Sequence, residues 1–264
     1  MPHFANGNVS VHYERSGVQG APALVLSSSL GTTAELWKPQ LPAFEQRYDV
    51  IRYDMRGHGA SSVPAGPYSV EQLSRDVLGL INELQLADVA FCGISIGGAI
   101  GQWLAIHAQE SFRAFILSNT AAKIGTLENW KIRIDTVQQE GMSAVADRIL
   151  QGWFTSPYRE ANPETVDRMR AMLTQCDPAG YVSTCAAVRD VDLRDAVYQI
   201  RKPVCILAGK HDLSTTIEDA QFLHRAIEGS KLVELPAAHI SNIEASTQFT
   251  AAVLDFLKEQ DSHG

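Results

Sequence analysis

The pentad Gly93-Ile94-Ser95-Ile96-Gly97 sets one serine between two glycines at fixed spacing. Where such a pentad joins a strand to a helix, the serine occupies a strained turn that projects its hydroxyl from the sheet. The flanking glycines keep side chains out of that turn. The chemistry this suits is nucleophilic attack on a carbonyl carbon. With Gly and Ser near 7% each, the pattern arises by chance about 0.1 times in a chain of this size. Its weight therefore rests on context: the apolar run Val89 to Gly93 reads as a strand, and Ile96 to Gln109 reads as a helix.

A serine hydroxyl is a weak nucleophile until a base takes its proton and an acid orients that base. Of the eight histidines, His239 follows the run Lys231 to Pro236, where a loop can carry it back over the carboxyl edge of a sheet. His12 is expected on the polar face of the alternating first strand, His107 in the helix after Ser95 and His224 in a surface helix. His3 and His263 lie near the termini, and His211 directly precedes the best candidate acid. His58 in "DMRGHGASS" is the more serious rival, but its loop precedes the serine and a turn role fits it better.

Asp212, just beyond the run Val204 to Gly209, is the candidate acid. The other acid position, after Ala114 to Asn119, holds Asn119, which has no carboxylate. Asp190, Asp192 and Asp195 fit the capping or solvation of helices. The chain order Ser, Asp, His is that of one group of hydrolases. In it, Asp212 would hold the Nδ1 hydrogen of His239, leaving the other ring nitrogen to take the proton of Ser95. A tetrahedral oxyanion also needs two backbone N–H donors. Ile96 offers one at a helix start, where the peptide dipoles favour negative charge, and the segment Ser27 to Thr33 is placed to offer the other.

These residues need elements to position them. "VSVHYER" (9–15) alternates like a half-exposed strand. "ALVLSS" (23–28), "DVIRYD" (49–54), "VAFCG" (89–93), "AFILSN" (114–119), "VCILAG" (204–209) and "KLVELP" (231–236) are compact apolar runs suited to strands buried on both faces. Helical patterns lie between them at 70–85, 96–109, 217–228 and 248–260. The alternation predicts an α/β fold: a mostly parallel sheet flanked by helices. It breaks once, where residues 121–200 carry only helical patterns. The expected organisation is a core formed by 1–120 and 201–264, with a helical lid at 121–200 inserted between the sixth and seventh strands. Such a lid would lie over the carboxyl ends of the strands, where sheets of this kind bind ligands.

Three separated motifs and their order now agree, and the chain resembles the α/β-hydrolases over its whole length. The resemblance is carried by "GISIGG", "AGKHDLS", "AAHISNIE" and the turn "DMRGHGAS". Where many members have His-Gly-x-Gly, this chain has Ser28-Ser29-Leu30-Gly31, and the resemblance implies the Leu30 amide as second oxyanion donor. Within that superfamily, "LSSSLGTTAELW", "LSNTAAKIGTLENW" and "AAHISNIE" are similar to the 3-oxoadipate enol-lactonases of aromatic-compound catabolism. That likeness implies hydrolysis of a small carboxylate-bearing enol-lactone to 3-oxoadipate through an acyl-enzyme, without metal or organic cofactor. A general carboxylesterase, a carbon–carbon bond hydrolase or a perhydrolase would use the same triad. A weakly catalytic ligand-binding receptor on the same scaffold is the reading from another class.

An anionic lactone needs a local cation. Trp130 and Arg133 stand three residues apart and share a helix face, and the planar guanidinium of Arg133 suits a carboxylate. Trp153, with Phe154 beside it, is a candidate pocket wall; Lys123 and Arg148 are reserve cations. Trp130 and Arg133 could equally be lid core and solvated surface.

Bulk composition narrows the partners. A formal net charge of -8 disfavours nucleic acid and anionic membrane surfaces, whose recognition requires a basic face. No run of eighteen apolar residues and no basic leader before an apolar stretch occurs, so a cytoplasmic enzyme without membrane association is expected. Cys92, Cys176, Cys185 and Cys205 show no CxxC pairing and read as reduced, structural thiols. Neither G-x-G-x-x-G after the first strand nor a phosphate-loop motif is present. The sequence leaves the oligomeric state open.

Overall fold

The computed structural model describes residues 2–261; His263 and the outermost residues of the two core segments lie outside them. The strands are β1 (His3–Asn6), β2 (Val9–Gly17), β3 (Ala23–Ser27), β4 (Asp49–Tyr53), β5 (Val89–Ile94), β6 (Phe112–Ser118), β7 (Val204–Gly209) and β8 (Lys231–Leu235). They form one sheet in the order β1-β2-β4-β3-β5-β6-β7-β8. β1 and β2 run antiparallel to their neighbours, and every later pairing is parallel. β3, β4, β5 and β7 are buried at every residue. Their unbroken Val, Ile and Leu runs are explained by that, because neither face of a covered parallel sheet meets water.

The helices in chain order are α1 (Leu41–Phe44), α2 (Val70–Glu83), α3 (Ile96–His107), α4 (Leu127–Glu140), α5 (Ser143–Trp153), α6 (Ser156–Ala161), α7 (Pro163–Thr174), α8 (Pro178–Asp190), α9 (Ile217–Ala226), α10 (Ser241–Glu244) and α11 (Ser246–Asp261). α2 starts on a capping box, in which the Ser69 side chain accepts from the Gln72 N–H and Gln72 returns the bond. α3 packs on β3, β5 and β6, while α9 and α11 pack on β7 and β8.

α4 to α8 occupy the stretch between β6 and β7. They touch the loops that leave the carboxyl ends of the strands. The Met172 sulfur of α7 accepts from the Thr33 N–H after β3, and the Gly180 backbone of α8 abuts Gly57 after β4. The Leu193 N–H, beyond α8, donates to Ala122 O after β6. The Ile240 N–H, after β8, donates to Trp153 O at 3.0 Å. The strand order reverses between β3 and β5, so the loops after those two strands flank the crevice where open α/β sheets place ligands.

Three details differ from the sequence reading. β8, expected to be buried on both faces, is an edge strand of the sheet with Lys231 and Glu234 exposed and only Leu235 buried, because no further strand covers it. β1 is an additional edge strand, too short to stand out as a pattern, and β2 is therefore an inner strand. As a result His12 is buried, 3% exposed, rather than on a polar face. Its Nδ1 pairs with Asp54 Oδ2 at 2.9 Å.

Candidate active site

Ser95 joins β5 to α3 with φ +61° and ψ −117°, a backbone conformation that a residue with a side chain rarely adopts. Neighbouring strands hold it there. The Ser95 N–H donates to Ser118 O on β6 at 2.9 Å, and Ser95 O accepts from Thr120 Oγ1 at 2.8 Å. The spacing of the glycines now has a steric cause. A Cβ on Gly93 would sit 2.1 Å from Gly97 O, and one on Gly97 would sit 2.3 Å from Ser27 O, so neither position admits a side chain.

His239, in the loop after β8, places Nε2 2.9 Å from Ser95 Oγ and Nδ1 2.7 Å from Asp212 Oδ2. Asp212 follows β7 and is 4% exposed. Its Oδ1 accepts from the Ser214 and Thr215 N–H groups; its Oδ2 also accepts from Thr215 Oγ1 at 2.7 Å and Asn119 Nδ2 at 3.0 Å. Burial pushes its pKa up, but the His239 charge and hydrogen bonds from His239, Asn119 and Thr215 outweigh burial and set it at about 2. Asp212 is therefore an ionised, acceptor-only group at neutral pH. That fixes the proton of neutral His239 on Nδ1 and leaves the Nε2 lone pair facing the serine hydroxyl.

The loop carrying His239 is fastened on both sides. The Ala238 N–H donates to Glu244 Oε2 at 2.8 Å, and the Ile240 N–H donates to Trp153 O. Glu244 also accepts from the N–H and the hydroxyl of Thr155, which caps the start of α6.

Ile96 opens α3, so its N–H is among those a helix leaves without a carbonyl partner. The loop after β3 contains a turn, Ser29 to Thr32, closed by the Thr32 N–H donating to Ser29 O at 3.1 Å. Its third residue, Gly31, has φ +77°, as a type II turn requires. The Gly31 N–H donates to His58 Nε2 at 3.0 Å. The turn and His58 thus use the N–H groups of Thr32 and Gly31, leaving that of Leu30.

Of the residues assigned to substrate binding, Arg133 is half-buried with its guanidinium carbon 4.7 Å from the Trp130 ring centroid. Trp130 is buried and donates its indole N–H to Ile124 O at 2.7 Å, which holds the start of α4. Trp153 and Phe154 are buried, and Phe154 stacks on Tyr158. Lys123 is engaged, donating to the Arg189 and Val191 carbonyls at the end of α8; Arg148 is exposed. A cavity of about 880 Å³ lies between α7 and the turn after β3, lined by Gly31, Thr32, His58, Met169 and Met172 but by none of Ser95, Asp212 or His239.

The chain is similar over its length to proteins of known class. A family model described as the alpha/beta hydrolase fold matches residues 22–246. The chain belongs to the α/β-hydrolase fold family. Among curated relatives of this α/β hydrolase is "3-oxoadipate enol-lactonase 2" of Acinetobacter baylyi, 43% identical over 95% of this chain and 94% of the relative. "3-oxoadipate enol-lactonase 1" of the same organism is 33% identical over 92% and 91%. A solved structure, the enol-lactonase from Burkholderia xenovorans, superposes with a TM-score of 0.96 at 42% identity, covering 97% of this chain and all of that one.

Sequence reasoning missed Asn119, Thr215 and Glu244 as supports of this hydrolase's triad. Asn119 stood out only as an acid position lacking a carboxylate, and Thr215 left a local signal of its own: a Ser and a Thr two and three residues after an Asp are the mark of a side-chain-capped turn. All four cysteines are free and buried, and burial pushes the Cys176, Cys185 and Cys205 thiols up to about 12. Among the described residues no three His, Cys, Asp or Glu side chains converge as a metal site needs, and no helix is long and apolar enough to cross a membrane.

Proposed function

We propose that the protein hydrolyses 3-oxoadipate enol-lactone to 3-oxoadipate, with Ser95, His239 and Asp212 as the catalytic residues. The observation that carries this reading is the unbroken hydrogen-bonded line from Ser95 through His239 to Asp212, in a chain 43% and 33% identical over nearly its whole length to two enol-lactonases.

Ser95 Oγ attacks the lactone carbonyl carbon while His239 Nε2 takes its proton. The carbonyl oxygen becomes an oxyanion held by the amides of Ile96 and Leu30. Collapse of that intermediate breaks the bond to the ring oxygen, which leaves as an enol or enolate and takes the proton from His239. An enolate is a better leaving group than an alkoxide, so the demand on this step is light. Water, deprotonated by His239, then attacks the acyl-enzyme and releases the second carboxylate and the free serine. Residues 121–200 act as the lid, with Arg133 holding the substrate carboxylate and Trp130 and Trp153 lining the pocket.

The test is steady-state hydrolysis of the enol-lactone beside a neutral aryl ester, for the parent and for Ser95→Ala. The parent is expected to prefer the lactone, and Ser95→Ala to lose turnover of both while keeping its circular dichroism spectrum. Substantial lactonase activity in folded Ser95→Ala would exclude the mechanism. A preference for the neutral ester would move the protein to the general carboxylesterases.

A further inference from the structure

The Leu30 amide is useful to an oxyanion only if its N–H points into the site, and a surface loop does not guarantee that. A peptide group is planar and trans, so its C=O and N–H point in opposite directions, and fixing one fixes the other. The N–H of Leu30 shares its peptide with the carbonyl of Ser29. That carbonyl accepts twice from Thr32, from the N–H at 3.1 Å and from the hydroxyl Oγ1 at 2.7 Å. The next peptide joins Leu30 to Gly31, and its N–H is held by His58 Nε2 at 3.0 Å. Both peptides flanking the Leu30 α-carbon are therefore clamped, one from within the turn and one from the loop after β4.

The two clamping side chains are poorly explained otherwise. Thr32 is 1% exposed and His58 2% exposed, and among the described residues neither forms an ion pair, although the Asp54 and Asp177 charges act on the His58 ring. His58 Nδ1 faces Arg56 O at 3.3 Å, which places the ring proton there and leaves Nε2 as the acceptor. Burial lowers the His58 pKa, keeping the ring in that neutral form. Two residues of different loops thus converge on one turn of four residues, and on the two peptides that decide where one N–H points.

We infer that His58 and Thr32 are positioning residues for the oxyanion, acting through the Leu30 amide. This rests on the reading of Leu30 as second donor. Because the oxyanion exists only in the transition state and its intermediates, loosening the clamp lowers kcat and leaves KM nearly unchanged. Loss of a whole donor costs roughly 10²–10³ in kcat, and a misdirected donor costs a large part of that.

The experiment compares kcat and KM for the lactone across a small set of variants of the full chain. His58→Leu fills the ring's volume without an acceptor and is expected to lower kcat at least 30-fold with KM within about threefold. His58→Gln returns an acceptor near the Nε2 position and is expected to recover kcat to within about fivefold of the parent. Thr32→Val keeps the backbone bond but removes the hydroxyl one, and is expected to lose about fivefold in kcat at unchanged KM. It stands in for His58→Leu should that variant not fold. Leu30→Pro separates the clamp from the donor it holds, since proline suits the second position of a type II turn but has no N–H. An inactive, folded Leu30→Pro together with parental kcat in His58→Leu or Thr32→Val overturns the clamp alone. Parental kcat in Leu30→Pro overturns the donor assignment beneath it. A His58→Gln as impaired as His58→Leu also overturns the proposal, because a purely steric role would not distinguish an acceptor from its absence in this way.

Discussion

Asn119, at the end of β6, donates its side-chain N–H to Asp212 Oδ2 at 3.0 Å from the end of the adjacent strand. The amide therefore stands one hydrogen bond from the carboxylate that orients His239, at the strand end adjacent to that of Asp212. Asp212→Asn is expected to lower kcat by about 10⁴, because an amide leaves the imidazole in the wrong tautomer. Adding Asn119→Asp puts a carboxylate back beside that amide and is expected to restore at least tenfold. Steady-state assays of the single and double variants decide it; a double variant no better than Asp212→Asn, with its fold intact, would limit Asn119 to support of Asp212.

The depressed pKa of Asp212 has a consequence for stability. Its folded value is about 2 against 3.8 for the free side chain. The unfolded chain therefore takes up this proton first as pH falls. The stabilisation is complete above about pH 4 and is lost as pH falls toward 2. Near pH 3 this one group contributes a slope of about 1 kcal/mol per pH unit. Urea unfolding between pH 4 and pH 3 is expected to show a shallower pH dependence for Asp212→Asn than for the parent. Equal slopes would mean that the carboxylate is not held low in the folded state.

The elbow permits a steric test. Gly97→Ala places a methyl 2.3 Å from Ser27 O, a backbone atom at the end of the neighbouring strand. Relief requires α3 to move away from β3, which displaces Ile96 and the loop after Ser27 together. Overpacking of this kind costs about 1–3 kcal/mol, or roughly 3–10 °C in Tm for a chain of this size. A thermal melt with Tm within 1 °C of the parent, or an unchanged kcat, would show that the helix and strand are not locked as closely as the structure has them.

The fold was legible because its signals are local. The buried strands are compact runs of Val, Ile and Leu; Ser95 and Asp212 each follow one within three residues, and His239 follows the half-exposed edge strand β8 by four. What was hidden depends on residues far apart in the chain. Asn119 and Asp212 are separated by 93 positions, and Thr155 and Glu244 by 89. His58 reads as a turn residue in "RGHG" because nothing near it in the chain shows that Gly31 is its partner. His12 alternates with apolar neighbours as a solvent-facing residue would. Only the pairing of β1 with β2 and the carboxylate of Asp54 turn that position inward.

Selection of an anionic substrate comes down to which partly buried cation has no anion beside it. Lys123 is held by two carbonyls at the end of α8, and Arg148 is exposed. Among the described residues Arg133 has no ion pair, although it is half-buried, stacked on Trp130 and hydrogen-bonded to Tyr181, a neutral partner that leaves its charge without a carboxylate. A partly desolvated guanidinium without a carboxylate partner is costly unless an anion arrives to pair with it. A hydrogen bond to a charged group contributes about 1.5–3 kcal/mol. Arg133→Ala is therefore expected to lower kcat/KM for the lactone by about 10- to 150-fold, and for a neutral aryl ester by less than threefold. Arg133→Lys keeps the charge but loses the planar fork and the stack, so it should fall between the two. Parallel assays of both substrates with the three proteins decide the matter. Equal losses on the charged and neutral substrates would remove Arg133 from carboxylate recognition and leave it a structural partner of Trp130.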